Sequence, residues 1–241
     1  MREITLNKRL KDLYDLLPDE KINTLLDLGT DHGYFPIFCL LKNKVEIAFC
    51  SDISDESLDK ARILAKNENL TDRTVFRTGD GLKVLKKDEK IDVIVISGMG
   101  GKLISDILDE GIDYIERNKS LMILQPAQAP EKLREYLYSK EYYILKEIMT
   151  YDSGKFYQSF LCTKNKFGSK NTPLAEYMLS SSIIKNSKNT VVQFCDLKIK
   201  TITQILNTNF KYNKEHFAYR MLNRRLYLYK EIKKNVTSKS D

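Results

Sequence analysis

Glycine and aspartate alternate through Asp27-Leu28-Gly29-Thr30-Asp31-His32-Gly33, directly after an apolar segment. The next apolar segment ends in a further carboxylate, Asp52. A glycine turn after one strand and an acid at the end of the next is the ribose-binding arrangement of a Rossmann-type sheet. A dinucleotide would need a close-approach glycine where Asp31 stands, because its pyrophosphate lies on the helix N-terminus. A carboxylate suits a ligand with a sulfonium and an ammonium, so the pattern predicts an S-adenosylmethionine site. The alternative is a purely structural strand–turn–helix corner.

Two further turns carry residues suited to the same ligand. Asp52 is placed to accept hydrogen bonds from ribose hydroxyls, and Ile53 beside it is included in the predicted cofactor contacts. Asp80 follows a third apolar segment, between Gly79 and Gly81, and is placed to accept a hydrogen bond from the amino group of an adenine. The alternative for either carboxylate is an ordinary surface or turn aspartate.

Three glycines follow the fourth apolar segment, in Ser97-Gly98-Met99-Gly100-Gly101. Glycine lets the backbone approach a ligand closely. Because ligands of an open α/β sheet bind outside the carboxyl ends of the strands, this segment is predicted to form the floor of an acceptor pocket. The alternative is a flexible hinge.

The residues also narrow the acceptor chemistry. The chain has no Asn/Asp-Pro-Pro-aromatic sequence of the kind used on exocyclic amines, and no cysteine placed for a 5-methylpyrimidine mechanism. An endocyclic nitrogen such as N1 of adenine has a free lone pair at neutral pH, so it needs only in-line placement. A carboxylate would stabilise the cationic product, and Asp31 is the candidate. The alternative for Asp31 is a structural or cofactor-binding role.

Positive charge is concentrated in the last third of the chain. Residues 164–241 carry 16 Lys and Arg against 5 Asp and Glu, whereas residues 1–163 carry 24 against 28. A basic module beside a mildly acidic domain is typical of a protein with a phosphate-rich partner. The alternative is a lysine-rich tail in a compositionally biased proteome.

Other classes of protein are disfavoured. The N-terminus has no apolar signal-peptide core and no apolar run is long enough to span a membrane, so we expect a cytoplasmic protein without a membrane partner. Four scattered cysteines without C-x-x-C spacing and two distant histidines predict reduced core thiols and no metal.

The hydrophobic pattern predicts alternating strands and helices. Strands are predicted at residues 24–28, 46–51, 74–78, 91–97 and 120–124. Helices are predicted at residues 5–17, 35–41, 55–68, 101–117 and 130–139. Residues 142–151 and 156–162, joined by 152–154, predict a hairpin whose last strand runs antiparallel. The sum is an α/β protein with the seven-stranded, Rossmann-like sheet of a class I methyltransferase.

Beyond Gly168 the apolar period becomes helical. One stripe consists of Val192, Cys195, Ile199, Ile202 and Leu206. A second consists of Phe210, Phe217, Met221, Leu228 and Ile232. Two helices joined near residues 207–209 would pack as an antiparallel coiled-coil hairpin, with Arg220, Arg224, Arg225 and Lys233 facing solvent. The alternative for each of these cations is a solvated position without a partner.

The chain resembles the bacterial tRNA (adenine-22-N1)-methyltransferase family, TrmK, over about residues 5–163. The resemblance rests on Lys8-Arg9-Leu10, residues 27–36, Gly79-Asp80-Gly81, Gly98-Met99-Gly100-Gly101, Leu124-Gln125-Pro126 and Gly154-Lys155. It implies S-adenosylmethionine as methyl donor, N1 of adenine 22 in the tRNA D-arm as acceptor, and a C-terminal coiled-coil domain that helps to bind tRNA.

Residue roles follow from the resemblance together with the turns above. The catalytic candidates are Asp31, Met99, Gly100 and Gln125. The cofactor candidates are Asp27, Gly29, Thr30, Asp31, His32, Gly33, Asp52, Ile53, Asp80, Gly81, Ser97 and Gly98. The tRNA candidates are Lys8, Arg9, Arg220, Arg224, Arg225 and Lys233. The chain departs from the family in having Ala127 where an asparagine is usual, so Gln125 or Gln128 is expected to substitute.

We therefore expect a methyltransferase domain in residues 1–163, a basic tRNA-binding helical domain in residues 164–241, and a monomer. Two alternatives stay open. One is a methyltransferase acting on another RNA base, a protein or a small molecule. The other is a non-catalytic RNA-binding scaffold, which the intact set of cofactor residues disfavours.

Overall fold

The computed structural model describes residues 4–164, 178–211 and 213–238. The chain divides into two compact units, residues 1–172 and 173–241. The expected change of pattern at Gly168 lies outside the described residues, and a domain boundary after residue 163 stays a prediction.

The first unit alternates strands with helices, and the second is helical. The strands are Ile22–Leu28 (β1), Val45–Asp52 (β2), Thr74–Thr78 (β3), Val93–Ser97 (β4), Leu121–Gln125 (β5), Tyr142–Asp152 (β6) and Lys155–Lys164 (β7). The helices are Lys8–Asp15 (α1), Tyr34–Leu41 (α2), Asp55–Asn67 (α3), Gly101–Glu110 (α4), Ile112–Asn118 (α5), Pro130–Ser139 (α6), Ser181–Asn186 (α7), Lys188–Asn209 (α8) and Phe217–Ser238 (α9), with short 3₁₀ turns at Thr71–Arg73 and Gly81–Val84.

The seven strands form one sheet in the order β3-β2-β1-β4-β5-β7-β6. Strands β1 to β5 are parallel, whereas β7 is antiparallel to both β5 and β6. A two-residue turn of Ser153 and Gly154 joins β6 to β7, and both residues have positive φ (48° and 82°). Such turns match the right-handed twist of the flanking strands. The predicted fold class is confirmed.

Both faces of the sheet are covered, so its central strands consist mainly of apolar residues. In β4, Ile94 and Ile96 pack into the core on one face, and Val93 and Val95 pack into the core on the other. Because both faces are occupied, a ligand can reach the sheet at the carboxyl ends of its parallel strands, where the connecting loops lie.

Two of the predicted helices in this unit have different bounds. The helix predicted to run to residue 117 breaks at Gly111, which ends α4 and precedes α5. A Cβ at this position would lie 2.1 Å from Leu82, so a larger residue does not fit there. The first helix begins only at Lys8, because the side chain of Asn7 caps it by accepting a hydrogen bond from the Leu10 amide. The other predicted strands and helices of the first unit agree with the structure within two residues at each end.

A buried ion pair fastens α6 to the β6–β7 hairpin. The Nε of Arg134 donates to Glu147 at 2.9 Å, its Nη2 donates to Gln158 at 2.8 Å, and its guanidinium lies over the Phe160 ring. The Arg134 and Glu147 side chains are both inaccessible to solvent. The apolar pattern alone gave no sign of this charged contact.

The second unit is an antiparallel hairpin of α8 and α9, as predicted. Phe194, in the first half of α8, packs against Tyr229, in the second half of α9. Phe210, directly after α8, packs against Tyr219, near the start of α9, so the two helices run antiparallel.

The apolar stripe predicted from Phe210 to Ile232 is correct only in part, since Ile232 is buried and Phe210 packs against the cluster between α8 and α9. Phe217 is 76% exposed and Met221 41% exposed, whereas Leu226 is buried against α8. The connection is also longer than predicted, since α9 begins at Phe217.

Candidate active site

The carboxyl ends of the parallel strands bring the predicted turns to one edge of the sheet. Leu28 lies beside Ser51 on one side and Ile96 on the other. Ser97 pairs with Gln125. The loops after β1, β2 and β4 are therefore neighbours, as the spacing of the glycines and carboxylates predicted. The loop after β5 lies beside the loop after β4.

Backbone hydrogen bonds hold the loop between β1 and α2. The Gly29 and Thr30 amides both donate to the Ser51 carbonyl, at 2.8 and 3.0 Å. Gly29 and Gly33 each have a φ of 72°, and Asp31 has a φ of 50°. A Cβ at Gly33 would lie 2.8 Å from Ala61, so only glycine fits at this start of α2. The result is a loop with left-handed backbone held close against the sheet.

Asp27 is a buried carboxylate at the base of this loop. Its side chain accepts a hydrogen bond from the Thr30 hydroxyl at 2.8 Å, and 4% of its surface is exposed. Burial raises the pKa of Asp27 to about 7, against smaller opposing effects from Thr30 and then Arg9. A buried carboxylate with a raised pKa is stabilised by a cation, and the ammonium group of a cofactor would supply one.

Asp52 receives backbone donors from two loops. Its Oδ2 accepts from the Asp31 amide at 3.3 Å, and its Oδ1 accepts from the Ser54 amide at 2.9 Å. These contacts fix the carboxylate and leave further lone pairs for ribose hydroxyls. Ile53 beside it is 77% exposed, which gives an apolar surface for an adenine ring.

Asp31, the candidate catalytic carboxylate, lies at the mouth of the loop. Its side chain is 67% exposed, and its Oδ1 lies 3.7 Å from Nε2 of His32. The His32 ring stacks on Tyr34, with the ring centres 5.7 Å apart. Asp31 therefore faces solvent, whereas Asp27 faces the interior.

Asp80 and Gly81 lie in the turn after β3, at the strand end next to Asp52. Asp52 pairs with Thr78 in the sheet, and Gly81 has a φ of 53°. The Asp80 carboxylate is exposed and lies 3.4 Å from Nζ of Lys83, which makes a shorter contact with Glu110. Asp80 is thus free to exchange this weak contact for the amino group of an adenine.

Backbone contacts join the glycine segment after β4 to the loop after β5. The Gly98 amide donates to the Gln125 carbonyl at 3.0 Å, and the Ala127 amide donates to the Met99 carbonyl at 2.7 Å. A Cβ at Gly101 would lie 2.5 Å from the Ala129 carbonyl oxygen, whereas a Cβ at Gly100 would meet no atom within 4 Å. The segment is a fixed wall with open space at Gly100, not a hinge.

Met99 extends from this wall toward the loop after β1. Its terminal methyl group lies 2.6 Å from the position that a Cβ of Gly29 would take. It also packs against the core on this face of the sheet. Met99 therefore connects the cofactor loop to the acceptor wall.

Gln125 has a different position from the predicted acceptor contact. Its side chain is fully buried, and its amide is engaged with Arg9 and Ser159. An amide held in this way positions Arg9 and is not available to a base. Ala127 contributes only its backbone, so the departure from the family pattern leaves no amide at that position.

The predicted tRNA contacts belong to both units. Lys8 is exposed and Arg9 half-buried in the first unit, whereas Arg224 and Arg225 are exposed in the second. Lys233 instead pairs with Asp196 of α8 at 2.5 Å, so its charge is already compensated.

Arg220 is exposed too, and it donates to the Glu215 carbonyl from Nε at 3.2 Å and from Nη2 at 3.0 Å. The Nη2 of Arg220 also lies 3.8 Å from the Glu215 carboxylate. The ion pair of Lys233 with Asp196 is shorter, at 2.5 Å, so Lys233 is the weakest candidate for a phosphate contact among the predicted cations of this unit.

The sequence did not indicate two partners of the Arg9–Gln125 contact, Tyr157 and Ser159 on β7. They are distant in the chain from every glycine turn, and no motif marked them. The Lys8-Arg9-Leu10 motif did single out Arg9, although for a different partner.

Other kinds of site are not evident in the described part of the chain. No group of three or more His, Cys, Asp or Glu side chains there could hold a metal ion. None of its helices has the length and apolar character needed to cross a membrane. All four cysteines are free and buried, as predicted.

Comparisons with known proteins agree with this geometry. The family model for tRNA (adenine(22)-N(1))-methyltransferase, TrmK, matches residues 25–231. The protein of that name from Bacillus subtilis is 35% identical over 158 residues, which span 66% of this chain and 65% of that protein.

Solved structures give the same result. The crystal structure of B. subtilis TrmK has a TM-score of 0.83 and 28% identity, covering 96% of this chain and 100% of that one. M. capricolum TrmK, solved with S-adenosyl-homocysteine, has a TM-score of 0.81 and 26% identity, covering 96% and 98%. With its seven-stranded sheet and its glycine and carboxylate turns at one sheet edge, this chain belongs to the TrmK family of tRNA (adenine(22)-N(1))-methyltransferases.

Proposed function

We propose that this protein transfers the methyl group of S-adenosylmethionine to N1 of adenine 22 in the D-arm of tRNA. The observation that carries the proposal is the match of a TrmK family model to residues 25–231. The convergence of the predicted cofactor turns at one edge of the sheet supports it. The products are S-adenosylhomocysteine and tRNA with a positively charged N1-methyladenine.

Each cofactor turn has a distinct task in this proposal. The carboxylate of Asp27 takes the ammonium group, Asp52 takes the ribose hydroxyls, and Asp80 takes the adenine amino group. Ile53 covers one face of the adenine, which accounts for an apolar side chain left 77% exposed. When bound, the cofactor supplies an electrophilic methyl group on a sulfonium.

The acceptor adenine is placed against the glycine wall after β4. The open space at Gly100 admits a planar base, and the backbone contacts of Met99 and Gly101 to the next loop keep that wall fixed. N1 needs no general base, so the protein contributes alignment with the methyl carbon. Asp31, at the loop mouth, is placed to stabilise the positive charge that develops on the purine.

The second unit is proposed to bind the tRNA backbone. Arg224 and Arg225 are exposed, and residues 164–241 hold the excess of positive charge. Lys233 is not part of this proposal, because Asp196 already pairs with it. A tRNA substrate places the reaction in the cytoplasm, and the expectation of a monomer stays a prediction.

A direct test uses two tRNA transcripts that differ only in whether residue 22 is adenine or guanine. Labelled methyl donor is added to each with the purified protein, and the modified nucleoside is identified after digestion. We expect N1-methyladenosine from the first transcript and no label in the second. Labelling of both would indicate another base, and labelling of neither, with cofactor bound, would favour a different acceptor or a scaffold role.

A further inference from the structure

A pocket opens between the end of α8 and the first half of α9, within the second unit. Its volume is about 420 Å³, which lies in the range of about 300–1,000 Å³ that is usual for small-ligand sites. Leu206 of α8 and Leu226 of α9 line it, and both are buried in the apolar cluster that joins the two helices. The pocket therefore has an apolar floor formed by the core of the hairpin.

Two aromatic side chains line the same pocket. Phe210, directly after α8, and Tyr219 of α9 meet edge to face, with their ring centres 6.3 Å apart. Both residues are half-buried, so each leaves part of its surface accessible. Aromatic rings of this kind are the surfaces on which proteins stack the unpaired bases of a nucleic acid.

The polar side chains of the pocket have unused hydrogen-bonding capacity. Asn207 and Asn223 line it, and neither side-chain amide has a hydrogen-bond partner among the residues that the structure describes. The neighbouring Thr208 differs, since its hydroxyl donates to the Gln204 carbonyl at 2.9 Å. Each free amide offers two N–H donors and one acceptor oxygen. These are the groups that bind the edge of an unpaired base.

The pocket is also positively charged. Lys211 and Lys214 line it, and none of its nine lining residues is Asp or Glu. Lys214 has no ion-pair partner in the described part of the chain, whereas Lys233, further along α9, is paired with Asp196. An ammonium group that is not neutralised suits a phosphate. The charge of the pocket therefore favours an anionic ligand, and its rings and amides favour a base.

We propose that this pocket binds one unpaired nucleotide of the tRNA substrate. The base lies on the leucine floor against Phe210 and Tyr219, the two asparagine amides bind its edge, and the two lysines contact its phosphate. The proposal rests on tRNA as the substrate in the proposed function. It extends that function, because a base contact carries sequence information that a backbone contact lacks. The nucleotide is a different one from adenine 22, which occupies the methyl-transfer site.

The test measures equilibrium binding of a fluorescently labelled tRNA transcript over a series of salt concentrations, with S-adenosylhomocysteine present. Asn207→Ala combined with Asn223→Ala is expected to raise the Kd at least about fivefold, as for the loss of two hydrogen bonds. The slope of log Kd against log salt should stay the same, because no charge is removed. Lys214→Gln should instead flatten that slope by somewhat under one unit. Asn213→Ala, an exposed asparagine outside the pocket, is the matched control and should change neither quantity.

Chemical probing of base edges on the bound transcript identifies the nucleotide. The unaltered protein is expected to protect an unpaired base other than adenine 22, and that base should become reactive in the double variant. Thermal unfolding checks that each variant is folded. If the double variant is not folded, Asn223→Asp replaces it, because this change keeps the shape of the side chain and adds a negative charge that repels a phosphate. A raised Kd and the lost protection are then the expected results.

An unchanged Kd in the folded variant would overturn the proposal. A raised Kd with every base still protected would overturn it in favour of a backbone contact. Methylation of a base other than adenine 22, with the raised Kd and the lost protection still observed, would count against the proposed acceptor alone.

Discussion

Cofactor affinity should depend on pH through Asp27. Burial raises the pKa of this carboxyl group to about 7 in the empty protein, whereas a cofactor ammonium group requires the ionised form. Binding below pH 7 must therefore displace a proton, and the apparent Kd should rise about tenfold for each pH unit below 7. At pH 6 we expect an affinity about tenfold weaker than the plateau above pH 8, with about 0.9 proton released per cofactor bound.

The stability of the empty protein should change in the opposite direction to cofactor affinity. The folded state holds the Asp27 proton more tightly than the unfolded chain, in which an aspartate carboxyl group has its ordinary pKa of 3.8. Stability from this group is therefore present at low pH and is lost as the pH rises from about 4 to about 7, by about 4 kcal/mol in all. Bound cofactor should offset that loss at neutral pH, because its ammonium stabilises the ionised carboxylate.

Calorimetry with S-adenosylhomocysteine, in buffers of different ionisation enthalpy from pH 5.5 to 8.5, measures both the Kd and the number of protons released. Asp27→Asn should bind more weakly at pH 8 and lose the pH dependence. His32→Gln, which removes the histidine of the same loop, should keep it. An affinity that is flat across this range in the unaltered protein, or a pH dependence that survives in Asp27→Asn, would refute the assignment of Asp27.

Three further perturbations test the other roles. Asp52→Ala should weaken S-adenosylhomocysteine binding by about 1.5–3 kcal/mol in calorimetry, because it removes charge-assisted hydrogen bonds to the ribose. Asp31→Asn should leave unfolding unchanged but slow single-turnover methyl transfer about 100-fold at saturating cofactor, because it removes a carboxylate beside a developing cation. Replacing Arg220, Arg224 and Arg225 together with glutamine should raise the KM for tRNA and flatten its dependence on salt, by somewhat under one unit of slope per lost phosphate contact. The Kd for S-adenosylhomocysteine should stay the same in that triple variant.

Each of these has an outcome that contradicts it. Unchanged cofactor affinity in a folded Asp52→Ala variant would remove Asp52 from the site. A loss confined to cofactor affinity in Asp31→Asn would leave Asp31 a binding residue only. If the KM for tRNA of the triple variant has the same value and the same salt dependence as that of the unaltered protein, these three arginines do not contact tRNA phosphates. Lys233→Gln, which removes a paired cation, is the matched control and should affect stability more than the KM.

The sheet and the location of the candidate site could be predicted from local patterns in the amino-acid sequence. Apolar runs separated by glycine turns predict parallel strands buried on both faces, and the short connection at Ser153 and Gly154 requires an antiparallel last pair. Because the carboxyl ends of parallel strands share one edge, the turns holding Asp27, Asp52 and Gly98 had to meet there. These are consequences of local pattern, which a sequence carries in full.

Contacts between residues that are far apart in the chain could not be predicted in this way, because they depend on how the whole chain packs. The sequence pattern continued a helix through Gly111, but the structure has two helices that meet there. Leu82, which is distant in the chain, packs so closely on Gly111 that a Cβ does not fit. Exposed apolar side chains at Phe217 and Met221 shared the heptad period, so the period could not show which face of α9 meets α8.

The contact of Arg9 with Gln125 is the clearest case of this kind, since Gln125 lies 116 residues further along the chain. The residues that flank Arg9 and Gln125 in the sequence do not indicate this contact. The sequence analysis instead predicted a tRNA contact for Arg9 and a contact with the acceptor base for Gln125. Their pairing depends on where α1 packs on the ends of β5 and β7, and that position follows from burial of the whole core and not from any local spacing.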